Sequence, residues 1–144
     1  MNILKILTSK RKLGNEGERA AADFLRKSGY KILERNYVSG GAEVDIICTK
    51  GDILAFVEVK ARTVGRQSPM EPRPASSVTP DKQQKILRVA GHYKSTHPSD
   101  KKIRFDIVEV MTSDNGGNTQ IEDVKHLLGA FDKDSAYPKR FVRG

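Results

Sequence analysis

Glu43-Val44-Asp45-Ile46-Ile47-Cys48-Thr49-Lys50-Gly51-Asp52-Ile53-Leu54-Ala55-Phe56-Val57-Glu58-Val59-Lys60-Ala61-Arg62 reads as two apolar strands joined by a tight turn at Lys50-Gly51-Asp52. The runs are rich in Ile, Val and Phe, the pattern of a sheet covered on both faces. Four charges interrupt them: Glu43, Asp45, Glu58 and Lys60. A charge in a buried strand is costly unless it is paired or holds a metal. Side chains alternate along a strand, so Glu43 goes with Asp45 and Glu58 with Lys60. A two-residue turn at Lys50-Gly51 sets Glu43 opposite Glu58, whereas one at Gly51-Asp52 sets Asp45 opposite Glu58. Either register gathers all four charges on one face at one end of the hairpin. Three carboxylates around one ammonium leave an excess of negative charge that a divalent cation corrects. Hard oxygen ligands of this kind suit Mg²⁺ or Mn²⁺.

The chain of 144 residues has the size of one domain, and at 37% hydrophobic it can bury a core. A net charge of +8 and a pI near 9.7 favour an anionic partner, most simply nucleic acid. A solvated basic surface is the plainer alternative. The single cysteine, Cys48, excludes an internal disulfide and reads as a small core residue. A reducing, cytoplasmic location fits. The opening Met-Asn-Ile-Leu-Lys-Ile-Leu is interrupted by Lys5 too soon for a secretory signal, and no stretch approaches a membrane span, so no membrane partner is expected.

Working outward, residues 1–12 read as a basic arm or a frayed terminus. Leu13 to Ser28 reads as a helix stopped by Gly29. Ala21, Ala22 and Leu25 follow Glu18 at helical offsets, which puts this acid on the apolar face. It is either a functional group or a first-turn acid favoured by the helix dipole. Gly14 and Gly17, poor helix formers, would let a phosphate strand approach. Tyr30 to Val38 is a strand, and Ser39-Gly40-Gly41 a loop.

After the hairpin, residues 63–79 carry Pro69, Pro72, Pro74, Arg66 and Arg73. The segment reads equally as a substrate-contacting flap over the charged cluster or as a plain connector. Thr79-Pro80 opens a second helix with Ile86, Leu87, Ala90 and Tyr93 as its apolar stripe. Lys82, Lys85 and Arg88 form a phosphate-binding ridge or a solvated face. His92 and His97 share no helix face and His126 stands alone, so no histidine metal site is expected. Lys102 to Val110 is a fourth strand, Asn115-Gly116-Gly117 a turn, and Thr119 to Leu128 a fifth strand or short helix. Residues 132–144 form a basic tail, which leaves 13–131 as the domain.

The spacing of Asp45, twelve residues, then Glu58-Val59-Lys60 resembles the PD-(D/E)xK nuclease motif, and the α-β-β-β-α-β order resembles the core of that fold. Several stretches resemble the bacterial YraN-like family: Gly14-x-x-Gly17-Glu18-x-x-Ala21, Glu43-Val44-Asp45-Ile46-Ile47, Phe56 through Arg62, Lys82-x-x-Lys85-Ile86 and Arg104-Phe105-Asp106. The bare Asp…Glu-x-Lys is weak, but the ordered set of blocks is specific. The motif's proline is absent, Val44 standing before Asp45, and residues 69–77 are longer and richer in proline than the family pattern.

The resemblance implies a restriction-endonuclease-like α/β fold with a mixed central sheet and flanking helices, similar to archaeal Holliday-junction resolvases. It implies a hydrolase: a Mg²⁺- or Mn²⁺-dependent endonuclease cutting phosphodiester bonds, with DNA of a particular shape as the expected substrate. Asp45, Glu58 and Lys60 match the catalytic trio, and Glu18 matches the helix-one acid of the resolvases. The metal would sit on Asp45, Glu58, Glu18 and the Val59 carbonyl and acidify a water for in-line attack. Lys60, kept charged by its carboxylate neighbours, would orient that water or offset phosphate charge. Arg62, Arg66, Arg73, Lys82, Lys85 and Arg88 would hold the polyanion, and resolvases imply a homodimer. The competing reading is a non-catalytic nucleic-acid-binding protein whose motif is a buried ion cluster; a protein-interaction module ranks last.

Overall fold

The computed structural model describes residues 3–63 and 78–132, with side chains from Gly14 onward. The chain runs α1 (Ile3–Lys27), β1 (Lys31–Ser39), β2 (Ala42–Lys50), β3 (Ile53–Thr63), α2 (Pro80–Thr96), β4 (Lys102–Asn115) and β5 (Asn118–Phe131). The strands form one mixed sheet in sequence order, β1-β2-β3-β4-β5. Neighbours joined by short turns are antiparallel; only β3 and β4, linked through α2, run parallel. This is the expected restriction-endonuclease-like α/β arrangement.

Both sheet faces are covered, as the apolar hairpin requires. On one, Ala21, Ala22 and Leu25 of α1 pack on Ile46, Cys48, Ala55, Val57, Val108 and Val110. On the other, Ile86, Val89, Ala90 and Tyr93 of α2 pack on Val44, Ile47, Leu54, Phe56 and Ile107. Each fully buried Leu, Ile or Phe contributes about 1.5–3 kcal/mol. Cys48 is wholly buried, and burial, with the nearby Asp106 charge, pushes its thiol up to about 12.

The hairpin closes as Lys50 opposite Ile53, so the turn is Gly51-Asp52. Helix α1 ends where expected: Gly29 takes φ +97°, Tyr30 N–H donates to the Leu25 carbonyl at 2.9 Å, and Gly29 N–H donates to that of Arg26 at 3.0 Å. The helix begins at Ile3, not Leu13, so residues 3–12 are helical rather than a loose arm. They contain neither Gly nor Pro to break it. Gly17 admits a strand of this protein rather than a phosphate: a Cβ there would lie 2.8 Å from the Ala61 Cβ of β3.

The fifth element is a 14-residue strand, and β4 runs on past Val110 to Asn115. Pairing of β4 with β5 slips between Phe105 and Ile107. Gly129 N–H donates there to Asp106 Oδ1 at 2.9 Å. The proposed flap at 63–79 lies outside the described residues except for Thr63, Val78 and Thr79, as does the tail beyond Asp132.

Candidate metal centre

The site is made where β2 leaves β3. Pairing between them is regular up to Ile46 opposite Val57. Ile46 packs on the α1 side and Ile47 on the α2 side, but Val44 packs with Ile47 rather than with Ile46. The alternation therefore slips by one residue, and Glu43 and Asp45 turn to the α1 side. Carboxylate oxygens of Glu18, Glu43 and Asp45 lie there within 4.8 Å of one another. Asp45 Oδ2 accepts the Val59 N–H at 2.7 Å. Glu58 keeps the phase of Phe56 and faces α2, where its Oε2 lies 3.3 Å from Lys82 Nζ. The single charged face expected from strict alternation is thus divided between the two sides of the sheet. The halves meet at the gap, where Glu58 lies close enough to Asp45 to raise its carboxyl.

Gly14, Glu18, Glu43, Asp45, Glu58, Val59 and Ala61 line a cleft of about 340 Å³. Burial pushes the Asp45 carboxyl up to about 8, aided by the proximity and charge of Glu58; the Val59 N–H and Lys82 pull the other way. The Glu18 carboxyl is raised by burial, then by the charges of Asp45 and Glu43, against Arg35. Four carboxyls in one cleft cannot all ionise freely without a proton or a cation among them. Glu58 is 5% exposed, and its Oε2 accepts no hydrogen bond despite the nearby Lys82. An acceptor left open at the edge of an all-oxygen donor set fits a hard divalent cation.

Lys60 is half-buried, opposite Glu109 in the β3–β4 register, and does not line the acidic cleft. Arg62 is held inside, its Nε 3.3 Å from the buried Glu109 Oε2. The Lys82, Lys85, Arg88 ridge is divided: Lys82 turns to Glu58, and Lys85 pairs with Asp81 at 3.2 Å. Arg88 borders a second cleft of about 300 Å³ with Lys85, His92, Ser39, Gly40 and Ala42. Arg66 and Arg73 lie outside the described residues.

Glu43, gathered with Asp45 by strand alternation but absent from the ligand set that the resemblance implies, stands at ligand distance from Glu18 and Asp45. One feature went unforeseen. Asp106 gathers a second polar cluster: it accepts two bonds from Arg104 at 2.9 and 2.8 Å and one from His126 Nε2 at 2.8 Å. Arg104 also donates to the Tyr30 hydroxyl. His126, alone in the sequence, is thus a buried partner of Asp106.

The sequence profile of the uncharacterised protein family UPF0102 matches residues 17–110. The chain belongs to UPF0102, the YraN family. A UPF0102 protein of Dictyoglomus thermophilum is 43% identical over 122 residues, covering 84% of this chain and 98% of its own. One of Desulfosudis oleivorans is 40% identical over 132 residues, covering 91% and 98%. The UPF0102 match takes in Glu18, Glu43, Asp45, Glu58, Lys60 and Lys82, so all four carboxylates of the cleft fall within the matched span. Among the described residues no helix is long and apolar enough to cross a membrane.

Proposed function

We propose that this UPF0102 protein is a divalent-metal-dependent endonuclease that hydrolyses phosphodiester bonds of nucleic acid, with shape-selected DNA as its substrate. The meeting of Asp45 and Glu58 at the β2–β3 gap, backed by Glu18 and Glu43, carries this reading. Mg²⁺ or Mn²⁺ on these oxygens would acidify water and offset charge on the scissile phosphate. The chain's own part is placement. Asp45 is held by the Val59 N–H, Glu58 is brought in from the opposite side of the sheet, and Glu18 is carried on α1. Lys60 follows Glu58 on β3 and supplies positive charge for the phosphate. The net charge of +8 suits a polyanion read mainly through its backbone.

Labelled duplex, single-strand, flap and four-way-junction substrates with Mg²⁺ or Mn²⁺ test it. Metal-dependent cutting, lost in Asp45→Asn and reduced at least about 100-fold in Lys60→Ala, is the expected result. Binding without cutting, equal in wild type and variants, would establish a nucleic-acid-binding protein with a structural ion cluster.

A further inference from the structure

Lys82 lies in the first turn of α2, its N–H donating to the capping Thr79 hydroxyl at 3.2 Å. Its side chain is 45% exposed, yet its ammonium reaches within 3.3 Å of the buried Glu58 Oε2. No hydrogen bond forms there, so the contact is a pairing of charges that leaves the oxygen's acceptor capacity unused. Glu58 also abuts Asp45, and hence the Glu43 and Glu18 carboxylates. The cleft is thus rich in negative charge on its α1 side, and a tethered cation stands beside Glu58 on the α2 side of the sheet.

We propose that Lys82 is an internal counter-cation: it compensates Glu58 while the carboxylates hold no metal, and moves from Glu58 to the phosphodiester when a divalent ion takes that oxygen. The proposal rests on the metal-site reading of the cleft and adds an order of events to it. A buried Glu58 with neither partner would be an uncompensated charge. An ammonium and a dication on one carboxylate repel each other strongly. The half-exposed four-carbon stem of Lys82 lets the ammonium leave without moving α2. A bound phosphate would then take up the displaced charge, so metal and polyanion favour each other's binding, reciprocally. Metal loading in the absence of nucleic acid is correspondingly weakened.

Calorimetric titration of the full chain with Mn²⁺ alone tests this in wild type, Lys82→Met, Lys82→Gln, Lys82→Arg and the Glu58→Gln/Lys82→Met double variant. Lys82→Met and Lys82→Gln should bind Mn²⁺ on the order of tenfold more tightly than wild type, while Lys82→Arg stays near it. The double variant should show no such gain over Glu58→Gln. If Lys82→Met unfolds in metal-free buffer and folds with Mn²⁺, the ion has replaced the ammonium and the proposal stands. Unchanged or weaker Mn²⁺ binding in both neutral variants overturns the counter-cation role and leaves the metal site intact. Absence of Mn²⁺ binding in wild type and every variant overturns the metal reading itself, and this proposal with it.

Discussion

Asp45 is half-buried and Asp106 wholly buried, and their surroundings drive the two carboxyls in opposite directions. Burial raises both, but at Asp45 the neighbouring Glu58 adds to it, and the folded protein holds a proton up to about pH 8. At Asp106 the bonds from His126, Arg104 and the Gly129 N–H outweigh burial and hold the carboxyl below its ordinary range. The signs follow from linkage. With Asp45 raised from 3.8, the folded metal-free chain binds the extra proton, so stability falls as pH rises from about 4 to about 8. Asp106 contributes stability that is present above its ordinary 3.8 and lost as pH falls through its lower folded value. Urea unfolding of the metal-free protein between pH 2 and 9 should show both limbs. Asp45→Asn should flatten the upper one, and saturating Mn²⁺ should offset it by replacing the proton. Asp106→Asn should cost about 3 kcal/mol at neutral pH, because Arg104 loses its buried partner.

Helix α1 comes so close to β3 at Gly17 that a Cβ there would meet the Ala61 side chain. A side chain there would push α1 outward and carry Glu18 away from Glu43 and Asp45. Gly17→Ala should destabilise by about 1–3 kcal/mol and weaken Mn²⁺ binding, with Ala61→Gly restoring both in thermal unfolding and titration. The same packing explains what the sequence made legible. The apolar offsets after Glu18 located this acid on the buried face, and the Gly51-Asp52 turn was one of two registers left open. Strict alternation then failed at Val44, because β2 has no β3 partner beyond Ile46 to hold its phase. That slip parted Glu43 and Asp45 from the face of Glu58, and Lys82 was hidden by the assumption that a basic helix face looks outward.

For the whole molecule, the element order and the mixed, doubly covered sheet followed from apolar runs and turn residues. What local patterns could not reveal were contacts between distant segments: Arg104 with Tyr30, His126 with Asp106, Lys82 with Glu58. Charge is the property most directly carried from composition to behaviour. Anisotropy titrations with labelled DNA should show log affinity falling linearly with log salt, by about 0.9 per phosphate neutralised on duplex; a salt-independent affinity would argue against backbone recognition.

Because Val59 gives its N–H to the Asp45 side chain, one backbone amide is wired directly to the cleft. Its nitrogen and proton resonances will follow the charge on Asp45, whether a proton or a metal supplies the change. The protein thereby carries a built-in spectroscopic probe of site occupancy, readable without substrate, catalysis or an added label.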